Sequence, residues 1–449
     1  MQKIFGTDGI RCKVNQEPMT AETCLKIAKA AGYILSNKIT KKNRVIISKD
    51  TRLSGYLFEP LITSGFVSMG MDVILLGPLP TPALPLLIKS LRADMGVMIT
   101  ASHNTYEYNG LKFFDSNGNK ISKDLEKRIE NIISNKLLYK KILNYEHESG
   151  KAVRLNDAVG RYSEYLKSTL DKNVKIKKYK IVLDCGNGAT YNLAPSLFWE
   201  LGVNVLAINN HPNGRNINKN CGAVDTSLLS KKVIQEKADI GFAFDGDGDR
   251  VIAVDENGKD IDGDKIIALF CKSYLKKNQL RKKTVVTTVM SNLGFEKYLT
   301  DKLNIRLIRT KVGDINVVSE MQKNSYVLGG EQSGHIILGN YILSGDGILT
   351  AIKILEIMSL TNKKTSKLFN LFKEYPQVKY NLPIKKNVNG NFETKLNKIT
   401  RLNQKQNPNL RYLVRKSGTE PLIRILVEGK NKNNVIKAGK NINNEIKKI

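Results

Sequence analysis

Short apolar runs rich in β-branched residues alternate with helix-like segments over most of the chain, and this alternation restricts the possible folds more than any other feature. The runs include RVIISKD, MDVILLG, MGVMIT, KIVLDCG, ADIGFAF and TVVTTV. Strands that alternate with helices predict parallel sheets covered by helices on both faces. Because 449 residues exceed what one hydrophobic core usually holds, several such units are expected.

Breaks in composition divide the chain into four predicted domains. Charged stretches of low hydrophobicity lie near 145–155 and 365–390, and the turn DENGKDIDGD lies near 255–265. The last segment differs from the others, since the strand-like runs RYLVRKSG and IRILVEG precede a single helix. The first three domains are therefore predicted to be α/β units and the fourth an α+β unit. The predicted limits are about 1–150, 151–255, 256–365 and 370–449.

Composition favours a cytoplasmic protein without a membrane span. The most apolar stretch, residues 66–88, contains Asp72 and four prolines, whereas a spanning helix needs about 20 apolar residues in a row. The N-terminal sequence has no apolar region of the kind found in secretory signals. The five cysteines are scattered, odd in number and without a C-x-x-C pair. This pattern is typical of a reducing cytosol and argues against a disulfide framework or a zinc site.

The net charge of +30 raises the question of a nucleic-acid partner. The lysines are spread along the chain, and aromatic residues do not alternate with them. We attribute the charge mainly to a coding composition that favours Lys, Asn and Ile, and in part to attraction of anionic substrates. A basic nucleic-acid-binding protein stays a remote alternative, and no nucleic acid is expected as a partner.

Three aspartates at alternate positions form the motif with the clearest chemical meaning. The sequence IGFAFDGDGDRVIAV places Asp245, Asp247 and Asp249 between two strand-like runs. Carboxylates this close repel unless a hard divalent cation lies between them, and the glycines let the backbone wrap around it. A set of oxygen ligands favours Mg²⁺ over zinc or copper. Arg250 follows directly and can offset excess negative charge or hold a phosphate.

Three other interpretations of this motif are open. An EF-hand would use Glu256 as its twelfth loop residue, but it needs Gly where this chain has Arg250, and helices where this chain has strands. A haloacid-dehalogenase-type phosphatase also places Asp-x-Asp after a strand, but no clear partner motif follows. A plain acidic hairpin is the structural alternative, although turns seldom need three aspartates.

Two later motifs combine polar groups with turns. In VRKSGTEPLIRILVE, Arg415 and Arg424 flank a turn that can offer backbone N–H groups and hydroxyls to a phosphate dianion. A hairpin with surface arginines is the alternative. In VLGGEQSGHIIL, a loop between apolar runs carries Glu331, Ser333 and His335. A carboxylate and a hydroxyl on such a loop suit sugar hydroxyls, whereas a lone histidine is more often structural.

The stretch GVMITASHN ends an apolar run with Ser102 beside His103. Ser and Asn are favoured where strands end, because their side chains hydrogen-bond nearby backbone groups. Taken alone, this stretch predicts only the end of a strand.

Taken together, TASHN, DGDGDR, GGEQSGH and RKSGTEP, in this order and at these spacings, resemble the α-D-phosphohexomutase superfamily. FGTDGIR, the Gln of GEQSGH and RKSGTEPLIRILVEG are most similar to its bacterial phosphoglucosamine mutase branch. The resemblance covers essentially the whole chain. It implies a heart-shaped enzyme of four domains, three related α/β units and a fourth domain like the TATA-binding protein. One motif per domain is expected to face a central cleft.

The resemblance also implies roles for individual residues. Ser102 would be carried as phosphoserine, and one Mg²⁺ would be held by its phosphate together with Asp245, Asp247 and Asp249. Glu331 and Ser333 would contact the sugar. The phosphate that does not react would be bound by Arg415, Ser417, Gly418, Thr419 and Arg424. The residues matching positions near the reacting phosphoryl group are Arg11, His103, Lys112, Arg250, Lys311 and His335. The general acid and base stay open among His103, Lys112 and His335.

The implied reaction interconverts glucosamine 6-phosphate and glucosamine 1-phosphate through glucosamine 1,6-bisphosphate, and feeds UDP-N-acetylglucosamine into cell-wall synthesis. A phosphomannomutase or phosphoglucomutase is the nearest alternative. A priming kinase or autophosphorylation at Ser102 is expected, and a homodimer is compatible with the sequence. The chain has Cys12, Thr105 and Ile315 where the family usually has Gly, Pro and Arg. The first two departures are expected to loosen the loops around the site and to affect rate more than the reaction.

Overall fold

The computed structural model describes residues 3–36, 43–144, 148–384, 392–416 and 422–448. This part of the chain forms four sheets, one in each of four domains. The first three sheets mix parallel and antiparallel strands, and the fourth is antiparallel throughout. The predicted succession of three α/β units and one α+β unit is confirmed.

Domain I has a six-stranded sheet of order β1-β5-β4-β2-β3-β6, in which β5 runs antiparallel to β4. Its strands are β1 (Ile10–Lys13), β2 (Arg44–Lys49), β3 (Asp72–Pro78), β4 (Met95–Ile99), β5 (Tyr108–Asp115) and β6 (Ala152–Arg154). Its helices are α1 (Ala21–Ser36), α2 (Gly55–Val67), α3 (Ala83–Leu91), α4 (Lys123–Ser134) and α5 (Lys136–Leu143). All five residues of β4 are buried, as expected for a central strand covered on both faces.

Domain II has a five-stranded sheet of order β11-β10-β9-β7-β8. Its strands are β7 (Lys180–Asp184), β8 (Asn204–Ile208), β9 (Ile240–Phe244), β10 (Val251–Asp255) and β11 (Asp260–Ile261). Its helices are α6 (Ala158–Ser168), α7 (Leu193–Glu200) and α8 (Ser227–Gln235). The apolar run IGFAF forms β9 and is buried along its whole length.

Domain III has a four-stranded sheet of order β13-β12-β14-β15. Its strands are β12 (Thr284–Thr288), β13 (Arg306–Thr310), β14 (Leu328–Gly330) and β15 (Ile336–Leu338). Its helices are α9 (Gly263–Lys276), α10 (Leu293–Leu303), α11 (Asp314–Asn324), α12 (Gly347–Thr361) and α13 (Thr365–Phe369). Helix α12 begins after Asp346, whose carboxylate accepts a hydrogen bond from the N–H of Leu349. Its sequence is apolar around most of its circumference, and it is buried from Gly347 to Met358.

Domain IV has a three-stranded sheet of order β16-β18-β17. Its strands are β16 (Gln377–Pro383), β17 (Leu410–Lys416) and β18 (Leu422–Gly429), and its helices are α14 (Phe392–Gln406) and α15 (Lys432–Lys447). Its apolar side chains form a core of their own, whereas one continuous core joins side chains of domains I, II and III. No helix in the described residues is both long enough and apolar enough to cross a membrane.

Candidate active site

The four loops singled out in the sequence all connect antiparallel pairs of strands. These pairs are β4–β5 in domain I, β9–β10 in domain II, β14–β15 in domain III and β17–β18 in domain IV. In domains I, II and III the loop is held at its two ends by a strand ladder, which gives its side chains a rigid support. In domain IV the residues between the two strands, 417–421, lie outside the described residues.

The loop between β4 and β5, residues 100–107, contains Ser102, and we call it the serine loop. Ser102 has a φ of 51°, in the left-handed region that is uncommon for residues other than Gly. Only 1% of its surface is exposed, and its Oγ donates a hydrogen bond to Oδ2 of Asp245 at 2.8 Å. The structure thus brings together the serine and aspartate motifs, which lie 143 positions apart.

The loop between β9 and β10, residues 245–250, carries the three aspartates, and we call it the metal loop. Asp245, Asp247 and Asp249 are buried, and one carboxylate oxygen from each lies within 4.8 Å of the others. Gly246 allows close packing here, because a Cβ at this position would lie 2.6 Å from the carbonyl oxygen of Ser102. The three carboxylates therefore converge as the alternate spacing predicted, and the loop packs directly against the serine loop.

Asp245 and Asp249 differ in the direction in which the site shifts their pKa. Burial and the negative charges of Asp249 and Asp247 raise the pKa of Asp245 well above its ordinary value. Burial also opposes ionisation of Asp249, but Lys112 and His335 outweigh it and hold the pKa of that carboxyl well below its ordinary value. This uneven distribution is what mutual repulsion between clustered carboxylates produces.

Lys112 is the principal cation beside the triad. It lies on β5, and its Nζ donates to Asp247 at 2.8 Å and to Asp249 at 3.2 Å. Burial disfavours the ammonium form, but Asp247, Asp249 and Asp8 raise the pKa of Lys112 well above its ordinary value. Lys112 therefore stays charged and serves as an electrostatic partner.

A second group of ions joins domain I to domain III. Lys120 forms ion pairs with Asp8 of domain I and with Asp314 at the start of α11. Burial opposes ionisation of Asp8, but Lys112, Lys120 and the nearby Arg11 lower its pKa. Asp8 and Lys120 were not predicted as site residues: Asp8 lies in the motif FGTDGIR, from which only Arg11 was selected, and Lys120 belongs to no motif.

His103 and Arg250 face each other across the serine and metal loops. A guanidinium nitrogen of Arg250 lies 3.0 Å from Nδ1 of His103, which is itself 3.5 Å from Oγ of Ser102. Burial, followed by the positive charges of Arg250 and Arg11, lowers the pKa of His103 to about 3. His103 is therefore a neutral imidazole near pH 7. Arg11 donates to the side chain of Asn104 at 3.2 Å, so it lies against the same loop.

His335 is the last residue of the loop between β14 and β15, residues 331–335, which we call the sugar loop. Its Nδ1 is 3.6 Å from Asp249, and its Nε2 accepts a hydrogen bond from the N–H of Gly345 at 3.1 Å. Burial favours the neutral ring, but Asp249 and then Asp314 outweigh it and raise the pKa of His335. The histidine pointed out in the sequence thus contacts the aspartate triad.

The predicted site residues Glu331, Ser333 and Lys311 differ in burial. Glu331 is buried, and its carboxylate accepts a hydrogen bond from the N–H of Gly313 at 3.1 Å. Ser333 and Lys311 are exposed, so the fold does not enclose either side chain. Among the described residues, Glu331 is therefore the member of this group held in place by the fold.

The arginines of domain IV lie directly opposite each other, Arg415 on β17 and Arg424 on β18. Burial and the charge of Arg424 lower the pKa of Arg415, whereas the negative charge of Glu331 acts in the opposite direction. Glu331 of domain III therefore lies near enough to Arg415 for its negative charge to act on the guanidinium. Ser417, Gly418 and Thr419 lie outside the described residues.

Sequence reasoning missed several residues that hold the site together. Thr81 donates to Oδ2 of Asp247 at 2.6 Å, and Arg52 and Asn218 donate to backbone carbonyls of the serine loop. A usable signal existed for Arg52, because KDTR directly follows β2, which is parallel to β4 and ends at the same edge of the sheet. No comparable signal marks Thr81 or Asn218.

Comparison with known proteins identifies the family. Family profiles described as phosphoglucomutase/phosphomannomutase match in four parts, alpha/beta/alpha domain I over 2–140, domain II over 160–258, domain III over 262–375 and the C-terminal domain over 381–438. A phosphoglucosamine mutase of Zymomonas mobilis is 46% identical over 95% of each chain. One of Geotalea uraniireducens is 46% identical over 96% of this chain and 95% of that protein.

Solved structures share the fold. A phosphoglucomutase/phosphomannomutase family protein from Burkholderia thailandensis superposes with a TM-score of 0.82 at 24% identity, over 100% of this chain and 98% of that one. An N-acetylphosphoglucosamine mutase from Aspergillus fumigatus, solved with GlcNAc-6P and magnesium, gives a TM-score of 0.65 at 16% identity, over 98% of this chain and 94% of that one.

The chain therefore belongs to the phosphoglucomutase/phosphomannomutase family, and it is an enzyme of the phosphotransferring isomerase class. Within that class it is most similar to bacterial phosphoglucosamine mutases, as the resemblance in its motifs predicted. The predicted superfamily, branch and enzyme class are confirmed.

Proposed function

We propose that this enzyme interconverts glucosamine 6-phosphate and glucosamine 1-phosphate, with Ser102 as the phosphate carrier and glucosamine 1,6-bisphosphate as the intermediate. The observation that carries the proposal is the 2.8 Å hydrogen bond from Ser102 Oγ to Asp245, inside a buried cluster of three carboxylates. The names of the curated relatives supply the choice of sugar.

The residues fit one Mg²⁺ ion per chain. Asp247 and Asp249 each have a buried Oδ1 without a hydrogen-bond partner, and such atoms are costly unless a ligand or ion satisfies them. Together with Asp245 and the phosphate on Ser102, these oxygens would hold the ion. When bound, Mg²⁺ polarises the phosphate and offsets its negative charge.

In the first transfer, a hydroxyl of the bound sugar phosphate attacks phosphorus in line. The bond from phosphorus to Ser102 Oγ breaks, a bond to the sugar oxygen forms, and the product is the 1,6-bisphosphate. Transfer of this kind depends chiefly on positioning and charge stabilisation. Lys112 and Arg250 supply positive charge beside the triad. His335 lies 3.6 Å from the carboxylate of Asp249.

The proton of the attacking hydroxyl passes to one of His103, Lys112 and His335. Lys112 is a poor acceptor because its aspartate partners keep it charged. His103 is neutral, but its Nδ1 already accepts from Arg250 at 3.0 Å, which opposes proton uptake. A phosphoserine carries about −1.5 to −2 charge at pH 7, which makes proton uptake by a neighbouring ring easier. The same group returns the proton as the second transfer regenerates a sugar hydroxyl.

The intermediate then turns within the cleft, so that its other phosphate is transferred to the Ser102 oxygen. Domain IV must therefore bind a phosphate at either end of the sugar. Arg415 and Arg424 can do so because they supply positive charge to the phosphate and need no contact with the sugar itself. Residues 417–419 would complete this phosphate site. Glu331, Ser333, Lys311 and Arg11 would contact the sugar and the reacting phosphate.

We also propose the wider setting predicted from the sequence. The domains keep limits of about 1–150, 151–255, 256–365 and 370–449, although β6 (Ala152–Arg154) extends the first sheet slightly beyond its limit. All five cysteines are free, which supports a reducing cytoplasm. Phosphorylation of Ser102 by a kinase or by the enzyme itself primes the cycle, and two chains form a homodimer.

Ser102→Ala tests the carrier. We expect a loss of at least ~10⁴-fold in kcat, because the transfer has no covalent acceptor, and no added phosphate in the intact mass. Ser333→Ala, an exposed hydroxyl in the sugar loop, is the comparison variant and keeps its phosphate. Full turnover by Ser102→Ala in the presence of glucosamine 1,6-bisphosphate would disprove the proposal.

The choice of sugar is tested separately by kcat/KM on glucosamine, glucose and mannose 6-phosphates. We expect the glucosamine compound to exceed the other two by at least ~10-fold, which corresponds to about 1.4 kcal/mol of transition-state preference. A higher value for mannose or glucose would assign the enzyme to phosphomannomutase or phosphoglucomutase activity instead.

A further inference from the structure

Two side chains from different domains hold the same pair of carbonyl groups in the serine loop. Arg52 of domain I donates from one guanidinium nitrogen to the carbonyl oxygens of Ser102 at 2.9 Å and Asn104 at 2.7 Å. Asn218 of domain II donates from Nδ2 to the same two oxygens, at 2.8 and 2.9 Å. None of the motifs that identified the site includes Arg52 or Asn218.

Arg52 is fixed before it reaches the loop. It is only 1% exposed, and its Nε donates to Asp50 at 2.8 Å. Its second guanidinium nitrogen donates to the carbonyls of Thr105 and Tyr108, which lie further along the chain. The planar guanidinium, whose orientation is fixed by Asp50, therefore donates to four carbonyl groups between residues 102 and 108. An ammonium group cannot provide this geometry.

Asn218 links this loop to the metal loop. It is 3% exposed and has a φ of 55°, and its N–H donates to the carbonyl of Gly186 in domain II. A Cβ on Gly246 would lie 2.7 Å from Nδ2 of Asn218 and 2.6 Å from the carbonyl oxygen of Ser102. The amide, the carbonyl and the metal loop are therefore packed in direct contact.

The other side of the Ser102 residue is held as well. Its N–H donates to Oγ1 of Thr100 at 2.9 Å, and Thr100 in turn donates to Asp50 at 2.6 Å. The left-handed conformation is unfavourable for a residue with a Cβ, so it persists only where its surroundings hold it. Here both the N–H and the carbonyl of Ser102 are held by buried side chains.

We propose that Arg52 and Asn218 are positioning residues, which keep Ser102 left-handed and its Oγ directed at Asp245. The inference rests on the proposed role of Ser102 as the phosphate carrier. Without the two donors, the loop relaxes toward negative φ and Oγ moves away from the metal loop. Asn218 adds a specific coupling, because any shift of domain II against domain I moves the carbonyl that sets the direction of the serine.

The central experiment compares Asn218→Gly with Asn220→Gly. Both positions are left-handed, with φ of 55° and 54°, and Gly relieves backbone strain equally in the two, but Asn220 is exposed. We expect Asn218→Gly to lower kcat ~30-fold or more with KM changed less than ~3-fold, since only the placement of the reacting oxygen is lost. The Asn220→Gly control should stay within ~2-fold in both.

Arg52→Lys gives a second, independent reading, with Arg44→Lys in the same domain as its control. Lysine keeps the charge beside Asp50 but cannot reach all the carbonyls, so we expect kcat to fall at least ~30-fold. The double variant Arg52→Lys/Asn218→Gly should lose much less than the product of the two single losses, because both residues act on the same carbonyls. A purely structural role predicts lower melting temperatures and an unchanged kcat per folded molecule.

Intact-mass measurement after incubation with glucose 1,6-bisphosphate follows phosphate transfer to Ser102 directly, and we expect it to be slowed in both single variants. A kcat for Asn218→Gly within 3-fold of the Asn220→Gly control overturns the inference. If Asn218→Gly does not fold, Asn218→Ser is compared with Asn220→Ser by the same limits. Ser102→Ala is measured in parallel: its inactivity beside a fully active Asn218→Gly refutes only this inference, whereas its full activity refutes the proposed function.

Discussion

The serine–aspartate site and the arginine pair of domain IV, both proposed to bind phosphate, are supported in different ways. Asp245 and Asp247 are completely buried, and their loop packs against elements that share one core across three domains. Arg415 and Arg424 are only half-buried, on a domain with a core of its own. The first site is therefore supported by the packing of three domains, and the second by the core of domain IV alone.

This difference separates the chemical step from substrate capture. Charges in a buried, pre-organised site act strongly on a transition state and need no rearrangement when the reaction occurs. A domain with its own core can shift as a body and still present the same two guanidinium groups. Damage to the buried site should therefore lower kcat, and damage to domain IV should raise KM.

The largest effect is expected from Asp247→Asn. The change removes a carboxylate from the triad and weakens the partner of Lys112, which lies 2.8 Å away. We expect kcat to fall ~10³-fold or more, with a matching loss of Mg²⁺ affinity measured by calorimetry. Asp255→Asn, a buried carboxylate at the far end of the same hairpin, is the control and should keep most of its activity. Equal losses in the two variants would show that the triad carboxylates contribute no more to catalysis than another buried carboxylate of the same hairpin.

Arg415→Ala should have the opposite signature. Loss of one guanidinium from the phosphate grip is expected to raise KM ~10–30-fold, about 1.4–2 kcal/mol of binding, and to leave kcat within ~3-fold. Steady-state kinetics with glucosamine 6-phosphate measures both. Lys416→Ala, its exposed neighbour on β17, is the matched control. A fall in kcat as large as that of Asp247→Asn would contradict the division of tasks.

A third effect, on stability instead of catalysis, is expected at the contact between domains III and IV. Arg411 pairs with the buried Glu428 and donates to the carbonyls of Val289 and Ser291. Arg411→Met leaves the Glu428 carboxylate without its cation, so we expect a loss of ~2–4 kcal/mol in the stability of domain IV docking. Hydrogen exchange should report faster exchange in β17 and β18. Adding Glu428→Gln should restore part of the protection, and no restoration would mean that the charge pair is not the cause.

The fourth effect concerns the pH dependence of stability. Burial and the neighbouring Asp262 raise the pKa of Asp264 to about 7, and Asp264 accepts a hydrogen bond from the N–H of Asn292, next to the same contact. The folded protein thus binds this proton at higher pH than the unfolded chain does. The resulting stability is complete below about pH 4 and is lost as pH rises through 7, by up to ~1.4 kcal/mol per pH unit.

Asp264→Asn should flatten this part of the pH dependence in urea unfolding measured from pH 5 to 8. The exposed Asp260→Asn is the control and should leave the slope as it is. An unchanged slope in Asp264→Asn would assign the titration to another group.

The sequence predicted the fold class and the residues with recognisable chemistry, because both follow from local patterns. Apolar runs alternating with helical segments marked the sheets, and the spacing of Asp245, Asp247 and Asp249 alone indicated a shared ligand. The resemblance to a known family then connected these aspartates with Ser102, a contact of 2.8 Å across 143 positions that no local pattern encodes.

The supporting residues could not be predicted for the same reason. Asn218 lies in a loop whose composition is typical of any turn, and its importance arises only because domain II is folded against the carbonyl of Ser102. Lys120 and Asp8 likewise gain meaning from an ion pair between distant loops. The burial of Glu331 and the exposure of Ser333, two positions apart, depend on loop geometry that the sequence does not specify.

The register that sets Arg415 against Arg424 has a consequence for small anions. Two like charges on facing strands repel each other, and a small doubly negative ion relieves that repulsion whatever sugar is attached to it. Free inorganic phosphate is such an ion. We therefore expect inorganic phosphate to compete with sugar phosphates for this arginine pair, as inhibition that a higher substrate concentration overcomes.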